Sequence, residues 1–302
     1  MPGNNKFFYY GIRGFFREVI DVYKNFGYKY AIDFIKWRPL RSFNITQNIS
    51  KKKNPDEIHE VSFLKKNGFY IFKELDKSQI YKLRNLYEDL AEKKYGKSFD
   101  LLLKDLIDSG DARGIKCQFC PSEVKKILEM NNIYEILEKS LDLKLNEISI
   151  RVQCDTTLAP KSEFKYDQII KKKGHDNALK FHRDLDGNKF LKYFIYLTDC
   201  NNENGPHIYV KSSANKVPLN FMGIKRLNFE EITSFYNNEN VVKMVGSKGF
   251  NFIEDTTGFH AGTIPEKGLR MMLVIEFMDT CSTNFSSKED SFFQPLNNFI
   301  NN

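Results

Sequence analysis

The apolar residues of this 302-residue chain change period near residue 146, and that change limits the folds open to it. Upstream they recur at three- and four-residue steps. Residues 77–95 place Ile80, Leu83, Leu86, Tyr87 and Leu90 on one helical face, and residues 121–141 repeat the pattern from the helix start Pro121-Ser122-Glu123. A shorter helix over Val61–Lys66 ends at Asn67-Gly68 and leads into the strand Phe69–Phe72. Downstream the pattern alternates. Strands are predicted over Glu147–Gln153, Lys192–Leu197, His207–Val210, Gly249–Ile253 and Leu269–Phe277, with Gly- and Asn-rich turns between them. Helices followed by short strands predict an α+β chain, with helices packed on a β-sandwich or jelly roll.

Charge divides the chain further. Residues 1–53 carry 11 Lys/Arg against 3 Asp/Glu, so a net of +8 sits there and −1 remains for the rest of a +7 chain. Residues 7–38 read as a basic, aromatic helical segment that Pro39 stops, and 40–56 as a linker. The expected organisation is an extension at 1–56, a catalytic-type domain at 57–281 and a loose polar tail at 282–302. The extension is a candidate contact with the domain or with a second copy, ahead of a membrane surface. Nucleic acid is not expected, because no recognised binding motif accompanies the charge. The five cysteines form no framework and no secretory or membrane-spanning segment is read, so a cytoplasmic protein with reduced thiols is expected. Cys117-x-x-Cys120 has neither a second Cys pair nor a nearby histidine and reads as two unrelated thiols.

The chemistry concentrates in four residues. On a strand, His182 and Asp184 point to one face and Arg183 to the other. His260, between Gly258-Phe259 and Ala261-Gly262, offers a third arm. Two histidines and one carboxylate with open positions are the ligand set of a mononuclear non-haem iron(II) site. A lone His-x-Asp is more often a polar strand edge, and it is the combination that points to metal. Arg270 lies in an otherwise apolar strand, where a buried guanidinium needs an anion. An acidic co-substrate is one such partner; an internal pair with Glu276 or Asp255 is another.

Three segments resemble the phytanoyl-CoA dioxygenase-like family of iron(II)/2-oxoglutarate oxygenases: FLKKNGFYIF at 63–72, FHRDLDGNKFLKYFIYLTDCNNENGPHIYVKSSANK at 181–216 and GFHAGTIPEKGLRMMLVIEF at 258–277. The resemblance implies a double-stranded β-helix. It implies Fe(II) at His182, Asp184 and His260, with 2-oxoglutarate and O2 as co-substrates. It places the 2-oxoglutarate arginine on Arg270 and suggests Gln153 and Thr263 as polar neighbours of that co-substrate. The implied activity is oxidation of a C–H bond of a small metabolite with release of succinate and CO2. Hydroxylation is the default, since Asp184 keeps the carboxylate that halogenating relatives replace. Oxidative cyclisation or desaturation in biosynthesis is the second reading, and a non-catalytic β-sandwich binding protein the third. Arg151, Lys192 and His207 are candidate substrate contacts; Arg151, Lys189 and Lys192 suggest an acidic substrate if they are not a solvated face, and His207 is as readily a structural histidine. Lys171-Lys172-Lys173-Gly174 lies in a loop that would be a lid or a charged surface.

Overall fold

The computed structural model describes residues 58–110, 113–160, 179–184, 189–218, 221, 226–280 and 293–300, together with eight helical positions between Phe16 and Ile32. In chain order these form α1 (His59–Asn67), β1 (Phe69–Ile71), α2 (Lys77–Tyr95), α3 (Phe99–Ser109), β2 (Arg113–Phe119), α4 (Lys125–Met130), α5 (Ile133–Leu141) and β3 (Ile148–Leu158). Then follow β4 (Phe190–Tyr196), β5 (His207–Val210), α6 (Phe229–Thr233), β6 (Val241–Met244), β7 (Asn251–Glu254), β8 (His260–Ala261), β9 (Leu269–Asp279), β10 (Gln294–Pro295) and α7 (Asn297–Ile300).

The strands build two antiparallel sheets. The major sheet runs β1-β7-β4-β9-β3, and the long strand β3 is paired along its outer edge first by β10 and then by β2. The minor sheet runs β6-β5-β8, and the bridge between His182 and His260 extends it. The architecture is α+β, with a two-sheet jelly-roll core whose sheet does not close.

Strand period decides what each face of the major sheet meets. Met271, Leu273, Ile275 and Phe277 of β9, with Ile150 and Val152 of β3, pack against α1–α5 in the largest core. The alternate residues of β9, Met272 and Val274, pack with Phe194, Phe252 and Tyr209 between the sheets. β9 is therefore covered on both sides, which is why it reads as a nearly unbroken apolar run. Burying a side chain such as Ile275 or Phe277 contributes about 1.5–3 kcal/mol.

Several expectations are refined. The helix expected over 121–141 breaks after Met130, because Asn132 adopts a left-handed conformation (φ 52°). Asn131 beside it is needed elsewhere: its amide donates to the Tyr193 hydroxyl (2.6 Å) and to Asn251 Oδ1 (3.1 Å), tying the helical layer to the sheet. The expected loose tail is packed at its end. Leu296 is fully buried in the main core, and Gln294 and Pro295 pair with Ile150 and Ser149. The described residues of the basic extension are helical, and Phe16, Ile20, Tyr23, Tyr28 and Ile32 are exposed while Ala31 is buried. Most of that extension, its linker and the Lys171–Gly174 loop lie outside the described residues. Among the described residues no helix is long and apolar enough to cross a membrane. Cys117 is buried and Cys120 exposed, two thiols in different environments.

Candidate metal centre

His182 and His260 face each other across the bridge that joins their segments. Each backbone N–H donates to the other's carbonyl at 2.9 Å, and the imidazole centroids lie 4.3 Å apart. The Asp184 N–H donates to Thr256 O at 2.8 Å, a second tie between the two segments beside the bridge, and its carboxylate lies on the same side as the histidines. Arg183 turns away; its Nε donates to Thr257 O and its guanidinium lies over the Phe259 ring. The short alternation of His-Arg-Asp thus becomes the expected two-in, one-out geometry.

One donor atom from each of His182, Asp184 and His260 lies within 4.8 Å of the others. Both histidines are oriented by backbone: His182 Nδ1 meets Lys180 O at 2.9 Å and His260 Nδ1 meets Gly258 O at 3.0 Å. A carbonyl on Nδ1 fixes the proton there and leaves each Nε2 lone pair pointing into the cluster, as a metal ligand requires. Gly258 supplies its carbonyl from a place where a side chain does not fit, since a Cβ would sit 2.2 Å from the Tyr209 hydroxyl oxygen. Nε2 of His182 is 3.8 Å from Asp184 Oδ1, and Nε2 of His260 is 3.4 Å from Oδ2. Burial, then the neighbouring His260, lowers the His182 imidazole to about 3, so it is neutral and able to ligate. Burial alone would raise the Asp184 carboxyl, but Lys192 and then the two histidines hold it well below the usual carboxylate range. Burial alone would lower His260, but the Asp184 carboxylate beside it raises it, so a bound cation would take the place of that proton. Two imidazoles and an ionised carboxylate on one side fit a divalent cation such as iron(II), and the set has no thiolate of the kind structural zinc favours.

Arg270 opens β9 on the face that looks between the sheets, and it is only 3 % exposed. Its guanidinium donates to Gly205 O and, at 3.4 Å, to Thr157 Oγ1, the residue paired with it across β3. Among the described residues its Nε has no partner and no carboxylate pairs with it. The internal salt bridge with Glu276 or Asp255 is absent; Glu276 is held by Arg151 and Lys192 instead. A buried guanidinium left with spare donors fits an incoming carboxylate. Thr263 gathers in the same corner, donating to Pro206 O at 2.6 Å. Gly205 (φ +71°) makes that corner possible, since a Cβ there would meet Thr263 O at 2.6 Å. Gln153 lies half-buried on β3, on the same face as Arg151 and Thr157.

The remaining candidates are engaged within the protein. Arg151 pairs with Glu276, and Lys192 with both Asp184 (2.9 Å) and Glu276 (2.9 Å). Lys189 donates to Asp142 O. His207 stacks on His260 with centroids 5.6 Å apart and meets Glu254 at 3.0 Å. Glu254 was not read from the sequence, although a Glu closing the apolar strand Asn-Phe-Ile-Glu was a visible signal of a buried acid.

Burial pushes the Glu254 carboxyl up to about 8 and holds the His207 imidazole well below its usual range. At neutral pH the pair is a neutral acid donating to a neutral base. Between its ordinary 4.5 and about 8, Glu254 is protonated in the folded chain and ionised in the unfolded one. Stability of the metal-free protein is therefore expected to fall as pH rises through that window. Glu254→Gln should flatten the fall, and urea midpoints at pH 5 and pH 8 for both proteins measure it; equal slopes would remove Glu254 as the cause.

A jelly roll that gathers two histidines, a carboxylate and a buried arginine with an unpartnered Nε between its sheets defines a β-sandwich with a candidate mononuclear metal centre. The chain is similar in fold to EctD from S. alaskensis with bound Fe, at a TM-score of 0.50 and 11% identity over 76% of this chain and 78% of that one. EvdO2 from Micromonospora carbonacea var. aurantiaca gives a TM-score of 0.49 at 12% identity, covering 74% of this chain and 91% of its own. The non-heme alpha ketoglutarate dependent carbocyclase SnoK from nogalamycin biosynthesis gives 0.49 at 14%, covering 74% and 84%. No protein-family model and no curated protein matches the chain.

Proposed function

We propose that the chain is an iron(II)- and 2-oxoglutarate-dependent oxygenase of the phytanoyl-CoA dioxygenase-like type, acting on a small, polar metabolite. Its catalytic unit is residues 57–281. The observation that carries the reading is the presence of two features between the sheets: a three-donor cluster at His182, Asp184 and His260, and the buried Arg270, whose Nε is unpartnered and which meets no carboxylate among the described residues. EctD, whose fold the chain shares, is a structure with bound Fe.

His182, Asp184 and His260 would hold the iron through Nε2, a carboxylate oxygen and Nε2. Arg270, with Thr157, would receive the distal carboxylate of 2-oxoglutarate, and Gln153 and Thr263 are the nearest polar candidates to help. With both bound, the site supplies an oxidant made from O2, with succinate and CO2 as the co-products. The rest of the chain orients and dries the site: Phe194, Phe252, Met272 and Val274 between the sheets exclude water behind it. Hydroxylation is the proposed outcome, because Asp184 keeps its carboxylate in the cluster.

Adding iron(II) and then 2-oxoglutarate to the metal-free protein without air is expected to give a weak visible charge-transfer band that needs both, and air should then release succinate. Absence of the band, with no heat of 2-oxoglutarate binding, would favour a non-catalytic binding protein.

A further inference from the structure

The register of the three central strands sets one row of charge across the inner face of the major sheet. Glu276 of β9 is the direct cross-strand partner of Arg151 on β3 and of Lys192 on β4. Arg151 takes Glu276 Oε2, and Lys192 Nζ takes Oε1 at 2.9 Å. Glu276 is 2 % exposed, so two cations share one buried carboxylate. Lys192 also reaches the candidate metal centre: its Nζ lies 2.9 Å from Asp184 Oδ2. Burial alone would raise the Glu276 carboxyl, but Lys192 and then Arg151 lower it, so the anchor stays ionised.

Resting on the metal-centre reading above, we propose that Lys192 is a positioning residue for the metal ligand Asp184, holding its carboxylate through an ionic contact with Oδ2 from the Glu276–Arg151 anchor and so fixing how that carboxylate faces the metal. A carboxylate on a short side chain can otherwise rotate and offer one oxygen or two. An ammonium fixed from behind removes that freedom and draws charge from the ligand. Outer partners of metal ligands orient them and tune the ion in this way. Arg151 matters because it neutralises Glu276, so that Lys192 is shared with Asp184 rather than drawn wholly to its strand neighbour.

The test is cobalt(II) binding to the full chain, followed by visible absorption in the absence of any substrate. Lys192→Met is expected to bind cobalt(II) with a shifted visible band, and Lys192→Arg to restore much of the wild-type band. Because Lys192→Met leaves Glu276 with one cation fewer and can fail to fold, Lys192→Met/Glu276→Gln removes the Glu276 charge as well, leaves Asp184 to be neutralised by the cobalt(II), and is expected to show the same shift. A folded Lys192→Met or double variant whose cobalt(II) spectrum equals that of the wild type overturns the role of Lys192 and leaves the metal centre standing. Failure of the wild type itself to bind cobalt(II) overturns the metal-centre reading and this inference with it.

Discussion

Replacing His260 by alanine is expected to abolish stoichiometric iron(II) binding while leaving the fold in place. The two effects separate because the structural work of this residue is done by its backbone. The paired 2.9 Å hydrogen bonds with His182 use main-chain groups that alanine keeps. The imidazole supplies one of three donors, and with it gone only His182 and Asp184 remain. Losing an outer partner of a metal ligand typically weakens affinity ~10- to 100-fold, so losing a ligand should exceed that. Calorimetric titration with iron(II) without air, beside circular dichroism, reads both quantities. Retained stoichiometric binding in a folded variant would remove His260 from the ligand set.

Arg270→Met carries the second large effect, and it discriminates between the two partners that a buried guanidinium can have. If a substrate carboxylate is the partner, 2-oxoglutarate affinity should fall by about 2–5 kcal/mol, roughly 30-fold to several thousand-fold, with iron(II) binding intact. The co-substrate KM measured through succinate release is the readout. Stability gives an independent check. An arginine paired with an internal acid would strand that acid on removal and cost about 3–5 kcal/mol. Among the described residues no carboxylate pairs with Arg270, so in the absence of co-substrate the methionine variant is expected to melt no lower than the wild type. An unchanged KM together with a large loss of stability would make Arg270 structural.

Much of this site was legible because its signals are local. His182-x-Asp184 needs only strand alternation to put both side chains on one side, and the structure keeps that alternation with Arg183 turned out. Arg270 was conspicuous because a guanidinium inside an apolar run must be buried with something. The helix read at 61–66 announced itself by its stop at Asn67-Gly68 and runs over 59–67, with Gly68 at positive φ, and the helix at 77–95 announced itself by period. Not every local signal was read. α3 and β2 passed unread between 96 and 120, although Ile115, Cys117 and Phe119 of β2 alternate with more exposed residues as a half-buried strand does. The polar tail hid Leu296, a single apolar residue whose burial depends on a strand nearly 150 positions away.

The same limit explains Arg151 and Lys192. From sequence, basic residues alternating with apolar ones on strands suggest a solvated face or an acidic ligand. The alternation is real, but the polar face of β3 looks toward the minor sheet rather than toward water, because β10 and β2 edge the strand and the helices occupy its other side. Once the two sheets enclose that face, charges on it must neutralise one another, and the register places Glu276 between Arg151 and Lys192. Sequence by itself determined the order of helices and strands, the metal-type donor set and the presence of a buried cation, since these follow from residue type and short-range period. Tertiary structure alone decided which charges pair, which buried arginine keeps an unpartnered Nε and which lysine reaches Asp184. Those outcomes depend on strand register and on sheet-to-sheet enclosure, which link residues a hundred positions apart and leave no local trace.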